Sequence, residues 1–267
     1  MEIIDRHIQD EVVAPYAALR VGAAGEESPE DCAVLVEHDL DVYVNEVLTM
    51  RIVCTPNHLV DLVVGRLFTE GIVSGTGEIE SVYLCEYGTR ARVTLVRREA
   101  DFARGAQVET VPSCCTGNRT YNHYFDEGVP PEPVKPIRWE RSWVFAAAAA
   151  FAQDSPLHRR TFGTHSCYLV VEGVIVCCRE DLGRHNAFDK VLGFALCEGI
   201  DLRRALVFSS GRLPVDMVMK AIRAGVPVLA TKAVPTDATI ELARRYDLTL
   251  ICNARPDSMR VYHDPLG

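Results

Sequence analysis

The sequence lacks an excess of positive charge. Its 267 residues carry 28 Lys and Arg against 37 Asp and Glu, which gives a formal net charge of -9. A general nucleic-acid binder needs a basic surface that displaces counterions, so we expect no nucleic-acid partner, although one local basic pocket is compatible with a negative total. The balanced composition, 48% hydrophobic and 24% charged, also excludes a disordered tail, a collagen-like fibre and a coiled coil.

Long apolar runs are also missing. The longest, Trp143 to Ala152, is about half of the ~20 residues that a membrane helix requires. Residues 1–14 carry charges throughout and show no apolar core of a signal peptide. We therefore expect a soluble, cytoplasmic protein without a membrane partner. Thiols stay reduced in that compartment, so most of the 10 cysteines should be small buried hydrophobic residues.

The N-terminal part combines strand patterns with one helix. Alternating apolar residues predict β-structure over 42–56 and a hairpin over 82–96. Between them, apolar spacing of three and four predicts a helix over 58–70, with Asn57 as its cap and Gly71 just beyond its end. This pattern indicates a smaller N-terminal α+β unit.

Regular structure gives way over residues 101–138, where Pro, Gly and Asn dominate. This composition predicts a long connection or mobile loop, and loops of this length are usually functional or disordered. An alanine-rich helix is predicted next, over 139–153.

Beyond Thr161, strands and helices alternate. The pattern predicts a hairpin over 167–178, helices over 187–197, 214–224 and 237–246, strands over 205–210, 227–231 and 248–252, and a last strand ending near Tyr262. Such alternation indicates an α/β fold with a largely parallel sheet and helices on both faces. The predicted domains are 1–110 for the α+β unit, 111–138 for a cysteine-containing linker and 139–267 for the α/β domain.

Ligands of such sheets bind beyond the carboxyl ends of the strands, where three segments are expected to meet. Residues 209–214 join a strand to a helix, and their free N–H groups with Arg212 suit a phosphate or carboxylate, although an ordinary turn is the alternative. Residues 232–238 repeat this geometry, with Thr236 or Asp237 as the helix cap. Residues 253–258 follow the last buried strand.

The densest polar cluster is EDLGRHNAFDK, residues 180–190. It gathers acid, base, imidazole and amide groups around the start of a helix, and we favour a ligand site over a purely structural cap at Asp181 or Asn186. His165 precedes an apolar strand, where it is either structural or an acid–base or ligand residue.

Cys114 and Cys115 differ from the other cysteines because they lie in the polar loop, followed by Arg119. The C-x₂-C spacing of zinc sites occurs nowhere in the sequence. A disulfide between these neighbours is disfavoured, because their Cα atoms are ~3.8 Å apart and a bridge needs ~4.4–6.8 Å. A nucleophilic thiol that carries a group is the remaining interpretation.

These motifs resemble the FdhD family, the formate dehydrogenase accessory sulfurtransferases, from about residue 40 to the C-terminus. The similar blocks are TPNHLVDLVVGRLFTEGIV, GTHSCYL, EDLGRHNAFDKVLG, SSGRLPVDMVMKAIRAGVPVLATKAVPTDATIELA and LTLICNARPDSMRVY. The resemblance implies a cytidine-deaminase-like α/β fold with a mixed sheet. The H-x-E and P-C-x-x-C zinc signature of true deaminases is missing, so base deamination is not supported and no metal is expected.

The resemblance also implies a function. Family members accept sulfur from a cysteine desulfurase as a loop persulfide and pass it to molybdenum bis(molybdopterin guanine dinucleotide) for formate dehydrogenase. Typical members carry C-x-x-C in this loop, whereas this chain reads PSCCTGN, so the persulfide is assigned to Cys115, with Cys114 the alternative. The alternative function is a binding chaperone for the cofactor or a guanine nucleotide, without sulfur transfer; a zinc hydrolase would instead contain stoichiometric zinc.

The predicted cofactor contacts lie at the strand ends and in the family motifs. They are Asn253, Ala254, Arg255, Pro256, Asp257, Ser258, His165, Arg184, His185, Asn186, Asp189, Lys190, Ser210, Gly211, Arg212, Lys220 and Thr236. Cysteine desulfurase and formate dehydrogenase are the expected protein partners. A homodimer is expected because dimers are the commonest oligomers.

Overall fold

The structure is a computed structural model that describes residues 1–8, 11–97 and 131–267, together with the backbone of 109–111. These residues contain two six-stranded sheets and one two-stranded sheet. The α/β class is confirmed, with a mixed sheet that carries helices on both faces and an α+β unit before it. The domain boundaries stay a prediction, and most of the predicted 101–138 loop lies outside the described residues.

The first sheet belongs to the N-terminal part. The elements there are β1 (Glu2–Asp5), β2 (Val13–Val21), β3 (Glu27–Leu35), β4 (His38–Val44), β5 (Val47–Cys54), α1 (Leu59–Thr69), β6 (Ile79–Leu84), β7 (Arg90–Leu95) and β8 (Glu109–Val111), with a 3₁₀ turn over Thr76–Glu78. The sheet order is β1-β6-β7-β4-β5-β8. The predicted 42–56 strand is a hairpin, because Asn45 and Glu46 take φ of 47° and 67° and reverse the chain. The predicted 82–96 hairpin is confirmed as β6 and β7.

Helix α1 packs on one face of this sheet and forms the first apolar core with it. The predicted helix is confirmed, but the predicted cap is wrong. His58 precedes the helix with φ of 52° and makes no side-chain cap hydrogen bond. The Asn57 Oδ1 atom instead accepts hydrogen bonds from Thr55 Oγ1 at 2.7 Å and Lys190 Nζ at 3.0 Å. Asn57 therefore serves a long-range contact that sequence spacing does not reveal.

Among the described strands, β2 and β3 pair with each other alone and form a separate ribbon, which we call the arm (residues 13–35). The arm was not predicted. At its base Val13 is buried, Leu35 lies over Gly163 and β3 packs on the segment that follows residue 155. Most other arm residues are exposed.

The second sheet belongs to the C-terminal part. The elements there are α2 (Arg141–Asp154), α3 (Pro156–Thr161), β9 (His165–Val171), β10 (Val174–Asp181), α4 (Arg184–Cys197), β11 (Ala205–Ser209), α5 (Val215–Arg223), β12 (Val228–Thr231), α6 (Asp237–Arg245), β13 (Thr249–Cys252) and β14 (Arg260–His263), with a 3₁₀ turn over Leu202–Arg204. The order is β10-β9-β11-β12-β13-β14, and β11, β12 and β13 are parallel. The predicted elements are all present, although α4 begins three residues before the predicted Ala187 and Pro214 is the cap of α5 rather than its first residue.

Alternate residues of these strands face opposite cores. Leu169, Val207 and Leu229 point to the side covered by α4, α5 and α6, and Tyr168 and Phe208 point to α2. This alternation is the period-two rule for strands, and it explains why the strands read as continuous apolar runs.

Helices α1 and α4 cross where both carry a glycine. A Cβ on Gly65 would lie 1.8 Å from the Asp189 carbonyl oxygen, and one on Gly193 would lie 1.8 Å from the Asp61 carbonyl oxygen. Glycine is thus required at both positions for the helix backbones to touch. Phe68 packs against the cores on both sides, so this crossing joins the N-terminal sheet to the C-terminal sheet.

Candidate functional site at the strand ends

The carboxyl ends of β11, β12 and β13 form one edge of the C-terminal sheet, which we call the rim. Strand β9 runs antiparallel to β11, so His165 at its start reaches the same edge. The Ser210 N–H donates to the Ser166 carbonyl at 2.9 Å, and the Ser210 hydroxyl accepts from the Ser166 N–H at 2.9 Å. The Lys232 N–H donates to the Ser209 carbonyl at 3.4 Å and the Asn253 N–H to the Ala233 carbonyl at 2.9 Å, so the three predicted segments meet at this edge.

One corner of the rim is formed by His165, Ser210, Gly211 and Arg184. Ser210 Oγ lies 3.4 Å from His165 Nδ1, and a Cβ on Gly211 would lie 3.0 Å from Arg184 Cβ and 3.2 Å from that imidazole nitrogen. Glycine thus leaves room for both side chains to approach the strand end. Burial, then Arg184 and Lys232, lower the pKa of His165, which keeps its imidazole neutral near neutral pH.

Four cations lie at the rim without an acidic partner among the described residues: Arg184, Arg212, Lys232 and Arg255. The Arg184 Nε atom is buried and has no hydrogen-bond partner in the described part of the chain. Arg212 is exposed to solvent. The Lys232 ammonium lies 4.4 Å from the centre of the Phe151 ring, and burial and Arg255 lower the pKa of Lys232. Unneutralised cations that gather at one edge favour an anionic ligand.

The last rim segment, 253–258, is held by backbone contacts. The Asn253 N–H donates to the Ala233 carbonyl at 2.9 Å, Ala254 is buried, and the Arg255 N–H donates to the Ser258 carbonyl at 2.7 Å. The Arg255 guanidinium donates to the Lys232 carbonyl at 2.5 Å. Pro256 and Asp257 are exposed, as is Ser258. The Asn253 Oδ1 atom is buried and lacks a described partner, which leaves one acceptor for a ligand.

The N-terminus of α6 is capped by the chain, whereas Pro214 before α5 has no side-chain cap hydrogen bond. Thr236 and Thr239 exchange hydrogen bonds as a capping box before α6, and Asp237 accepts from the Ala238 N–H at 2.8 Å. In the first turn of α5, Asp216 accepts from the Met217 N–H at 2.9 Å. Phosphate contacts at these two N-termini stay a prediction, and a carboxylate lies in the first turn of each helix.

The residues of the predicted 180–190 cluster turn mostly inward. Asp181 is fully buried and accepts from the Thr55 N–H at 3.1 Å, from Asn186 Nδ2 at 3.0 Å and from Lys190 Nζ at 2.7 Å. The Asn186 amide also donates to the Val53 carbonyl at 2.8 Å. These contacts tie α4 to the end of β5. A cofactor contact of Asn186 or Lys190 stays a prediction, and in this conformation both side chains are engaged within the protein.

Asp189 and Lys220 form a second buried pair. The Lys220 ammonium lies 2.8 and 2.7 Å from the two Asp189 carboxylate oxygens, and neither side chain is exposed. Asp189 also accepts a hydrogen bond from Arg66 Nη1 at 3.2 Å and one from Thr69 Oγ1 at 2.9 Å. Burial and Arg66 lower the pKa of Lys220, against the opposing effect of Asp189. This pair joins α1, α4 and α5 beneath the rim. The predicted contacts of Asp189 and Lys220 with the cofactor stay a prediction.

His185 lies between the rim and this buried network. Its Nε2 atom is 3.5 Å from Asp216 Oδ2. Burial, then Lys220 and Arg184, lower the pKa of His185 to about 2, so the imidazole is neutral at physiological pH. A neutral His185 can donate to Asp216, which stabilises the start of α5.

Most of the described cysteines have a raised thiol pKa, and Cys85 has a lowered one. Burial raises the pKa of Cys54, Cys167, Cys177, Cys178, Cys197 and Cys252. The prediction of core cysteines is confirmed for Cys54, Cys167, Cys177 and Cys252, which are buried. For Cys85, burial raises the pKa, but the Thr89 hydroxyl and nearby backbone N–H groups lower it more, and the cleft around it contains Arg90 and Arg92. Cys114 and Cys115 lie outside the described residues.

The FdhD/NarQ family model matches residues 35–266. The chain belongs to the FdhD/NarQ family. The sulfur carrier protein FdhD of Listeria innocua is similar to this FdhD/NarQ chain, with 33% identity over 87% of this chain and 90% of that protein. The sulfur carrier protein FdhD of Bacillus subtilis is 30% identical over 90% of this chain and 92% of that protein. The crystal structure of a protein described as a formate dehydrogenase accessory protein, from Desulfotalea psychrophila, has the same fold, with a TM-score of 0.77 and 23% identity over 96% of this chain and 99% of that chain.

Two residues that lie in the predicted segments 180–190 and 232–238, but are not among the predicted cofactor contacts, shape the rim. Lys232 follows β12, and the rule that ligands bind at strand ends could have found it. Glu180 is buried and accepts from the Leu157 and His158 N–H groups at 2.9 Å each, at the start of α3. It also accepts from the Thr164 and Ser166 hydroxyls at 3.2 Å each, on either side of His165. Among the described residues no group of His, Cys, Asp and Glu could hold a metal ion, and no described helix is long and apolar enough to cross a membrane.

Proposed function

We propose that this chain is a cytoplasmic sulfur carrier that serves formate dehydrogenase. It takes sulfur from a cysteine desulfurase as a persulfide on Cys115, or on Cys114, and passes it to molybdenum bis(molybdopterin guanine dinucleotide). Membership of the FdhD/NarQ family and the names of the relatives support the sulfur-carrier part. The single structural observation that supports the choice of acceptor is the group of rim cations that have no acidic partner in the part of the chain that the structure describes.

A guanine dinucleotide cofactor is a polyanion, and its phosphates need cations and N–H donors. Arg184 offers a buried Nε–H without a described partner, and Arg212 and Lys232 offer charges without a described acid. Bidentate hydrogen bonds between guanidinium and phosphate are among the strong charge-assisted kind. Because Asp216 and Asp237 place negative charge in the first turns of α5 and α6, we expect the side-chain cations to supply most of the binding energy.

The sulfur-transfer step needs a thiolate. The thiolate of the carrier attacks the outer sulfur of the desulfurase persulfide, the desulfurase thiolate leaves, and the outer sulfur stays on the carrier as a new persulfide. The outer sulfur then leaves the carrier as a neutral atom, the acceptor supplies the electron pair of its new bond to sulfur, and the carrier thiolate is restored. Burial raises the pKa of Cys177 to about 11 and of Cys252 to about 12, so such core thiols are poor nucleophiles. Cys114 and Cys115 are therefore the proposed carriers.

The test is the sulfur content of the protein after incubation with a cysteine desulfurase and free cysteine. We expect the mass of one extra sulfur atom on the peptide that contains Cys114 and Cys115, released by cyanide. Cys114→Ala and Cys115→Ala assign the carrier, and Cys197→Ala, a half-buried thiol whose pKa burial raises to about 11, is the matched control. Cys85→Ala tests the one described thiol with a lowered pKa. Full retention of labile sulfur in the Cys114→Ala/Cys115→Ala double variant would refute the proposed carrier.

The rim also favours a second candidate, a binding chaperone without sulfur transfer, because its cations need no cysteine. Binding of guanosine diphosphate, measured by calorimetry, separates the two functions. Arg184→Gln and Lys232→Met should weaken binding, and Arg203→Gln, which is exposed on the 3₁₀ turn before β11, should not. Loss of binding in the rim variants, combined with normal formate dehydrogenase activation by both cysteine variants, would favour the chaperone.

A further inference from the structure

A second cleft lies at the end of the C-terminal sheet that is opposite the rim. Its volume is about 490 Å³, and it is formed by the segment that leads into α2 and by the C-terminal residues 261–266. Strand β14 runs antiparallel to β13, with Arg260 opposite Cys252 and His263 opposite Leu250. The end of β14 therefore lies toward the amino end of β13, whereas the rim is at the carboxyl end. The cleft and the rim are separate sites.

Hydrogen bonds within the chain hold the walls of this cleft. Trp139 Nε1 donates to Asp264 Oδ2 at 3.0 Å, and Asp264 Oδ1 accepts from the Leu266 N–H at 3.1 Å. Both carboxylate oxygens are thus engaged, and the indole offers an apolar ring to a ligand. Earlier in the same segment, Val134 is buried and its N–H donates to the Tyr246 carbonyl at 3.0 Å. The cleft is therefore preformed.

Two arginines at the cleft have no acidic partner among the described residues. Arg138 and Arg141 flank Trp139 in the sequence, line the cleft and are exposed. Glu140 lies between them, but its carboxylate accepts a hydrogen bond from the Ser142 hydroxyl at 3.1 Å. The whole chain has a formal net charge of -9, so this is a positive surface on an acidic protein. Such a surface is complementary to an anionic partner.

Apolar side chains lie beside the two arginines. Val261 is 47% exposed and Leu266 58%, and both line the cleft with the Trp139 ring. Small molecules bind in pockets that bury most of their surface, whereas these exposed side chains cover one side of a ligand. The cleft thus fits a protein segment better than a small molecule. An apolar residue with acidic residues on both sides matches its apolar wall and its two guanidinium groups.

We propose that this cleft is the docking site for a partner protein that presents an exposed acidic segment with an apolar residue in it. The apolar side chain packs against Trp139 and Val261, and the neighbouring carboxylates bind Arg138 and Arg141. Charge attraction speeds the encounter, so binding weakens as salt is added. The proposal uses neither the rim nor a cysteine, and it stands independently of the proposed function.

The fluorescence of Trp139 measures docking directly. The chain has two tryptophans, so Trp143→Phe leaves Trp139 as the reporter. The probe is a pentapeptide with one leucine between two pairs of glutamates, titrated at low salt. We expect a saturable change in emission. Glycine in place of the leucine should weaken binding more than about tenfold, because it removes the buried apolar group, and lysines in place of the glutamates should abolish binding.

A pair of charge variants tests the arginines in this Trp143→Phe protein. Arg138→Gln/Arg141→Gln should weaken peptide binding more than about tenfold, because both guanidinium groups are lost. The control, Arg159→Gln/Arg160→Gln, removes two exposed charges from α3 and should leave binding unchanged. Helix α2 has 14 residues and is ~21 Å long, so α3 lies at its other end, away from the cleft.

A second pair tests the apolar wall. Val261→Asp on β14 should weaken binding, and Val174→Asp on β10, the opposite edge strand of the same sheet, should not. Circular dichroism shows that each variant is folded. Unchanged emission at millimolar peptide overturns the proposal. So does equal binding of the glycine or lysine peptide, or equal loss in the two variants of either pair. Binding of free glutamate as tight as that of the peptide would also overturn it and identify a small-anion site.

Discussion

The contact between α1 and α4 gives a prediction that opposes the usual rule for helices. Replacement of a helical glycine by alanine normally stabilises a helix by about 0.8–1.0 kcal/mol. For Gly65→Ala we expect the reverse, because the new Cβ would lie 1.8 Å from the Asp189 carbonyl oxygen. Ordinary van der Waals contact begins at 3.4 Å, so the helices must separate by 1.6 Å.

This separation determines the magnitude of the loss. It lengthens the Arg66–Asp189 hydrogen bond from 3.2 Å to about 4.8 Å and the Thr69–Asp189 hydrogen bond from 2.9 Å to about 4.5 Å, which breaks both. Hydrogen bonds to charged groups contribute about 1.5–3 kcal/mol each. After the gain in helix propensity, Gly65→Ala should lower the free energy of unfolding by about 2–5 kcal/mol.

Urea denaturation of Gly65→Ala, with Gly77→Ala as control, measures this effect. A Cβ on Gly77 meets no atom within 4 Å, so that variant should match wild type or be slightly more stable. Gly193→Ala should cost a similar amount, and the double variant less than the sum, because one separation of the helices relieves both clashes. A Gly65→Ala variant as stable as Gly77→Ala would refute the close contact between the helices.

Three further predictions concern stability. Thr236→Ala removes the capping box of α6 and should cost about 1 kcal/mol in thermal denaturation, and no change would argue against the cap. Lys220→Met leaves Arg66 as the cation beside the buried Asp189 carboxylate, and it should lower the free energy of unfolding in urea by about 3–5 kcal/mol. The control, exposed Lys135→Met, should change that free energy by less than about 0.5 kcal/mol. Folding lowers the pKa of His185 from 6.5 to about 2. Between these pH values the unfolded chain binds a proton at His185 and the folded chain does not, so stability falls as the pH decreases from 6.5 toward 2. His185→Gln should make the stability profile flatter between pH 6.5 and 4, by up to about 1.4 kcal/mol per pH unit, and parallel profiles would contradict a neutral buried imidazole.

The C-terminal half was predictable because its signals are local. Each strand is a continuous apolar run, Gly173 with φ of 85° marks the turn of the β9–β10 hairpin, and Thr236 caps the helix that it precedes. The rim followed from one general rule about strand ends. The arm escaped prediction because it lacks a core: Pro15 and Pro29 interrupt the strand pattern, and its residues do not alternate between buried and exposed environments.

The polar cluster at 180–190 shows the limit of local reasoning. Its density of reactive groups predicted a ligand site, and Arg184 does reach the rim beside Gly211. Asp181 and Asp189, however, find their partners at Thr55 and Arg66, which are more than a hundred residues away in the sequence. Sequence spacing carries no information about such pairs, so a buried ion pair and a ligand site look alike before the structure is known.

The buried position of Arg66 also constrains the order of events during synthesis. Arg66 lies 1% exposed between Glu70 and Asp189, and Asp189 follows it by 123 residues. At ~5–20 residues per second, the ribosome needs about 6 to 25 s to add that stretch. Until then Glu70 is the acidic partner of Arg66 among the described residues, and the surface around Gly65 lacks the helix that covers it. The nascent N-terminal half should therefore stay incompletely packed, with a surface that chaperones can bind. It should acquire its final stability only when α4 leaves the ribosome.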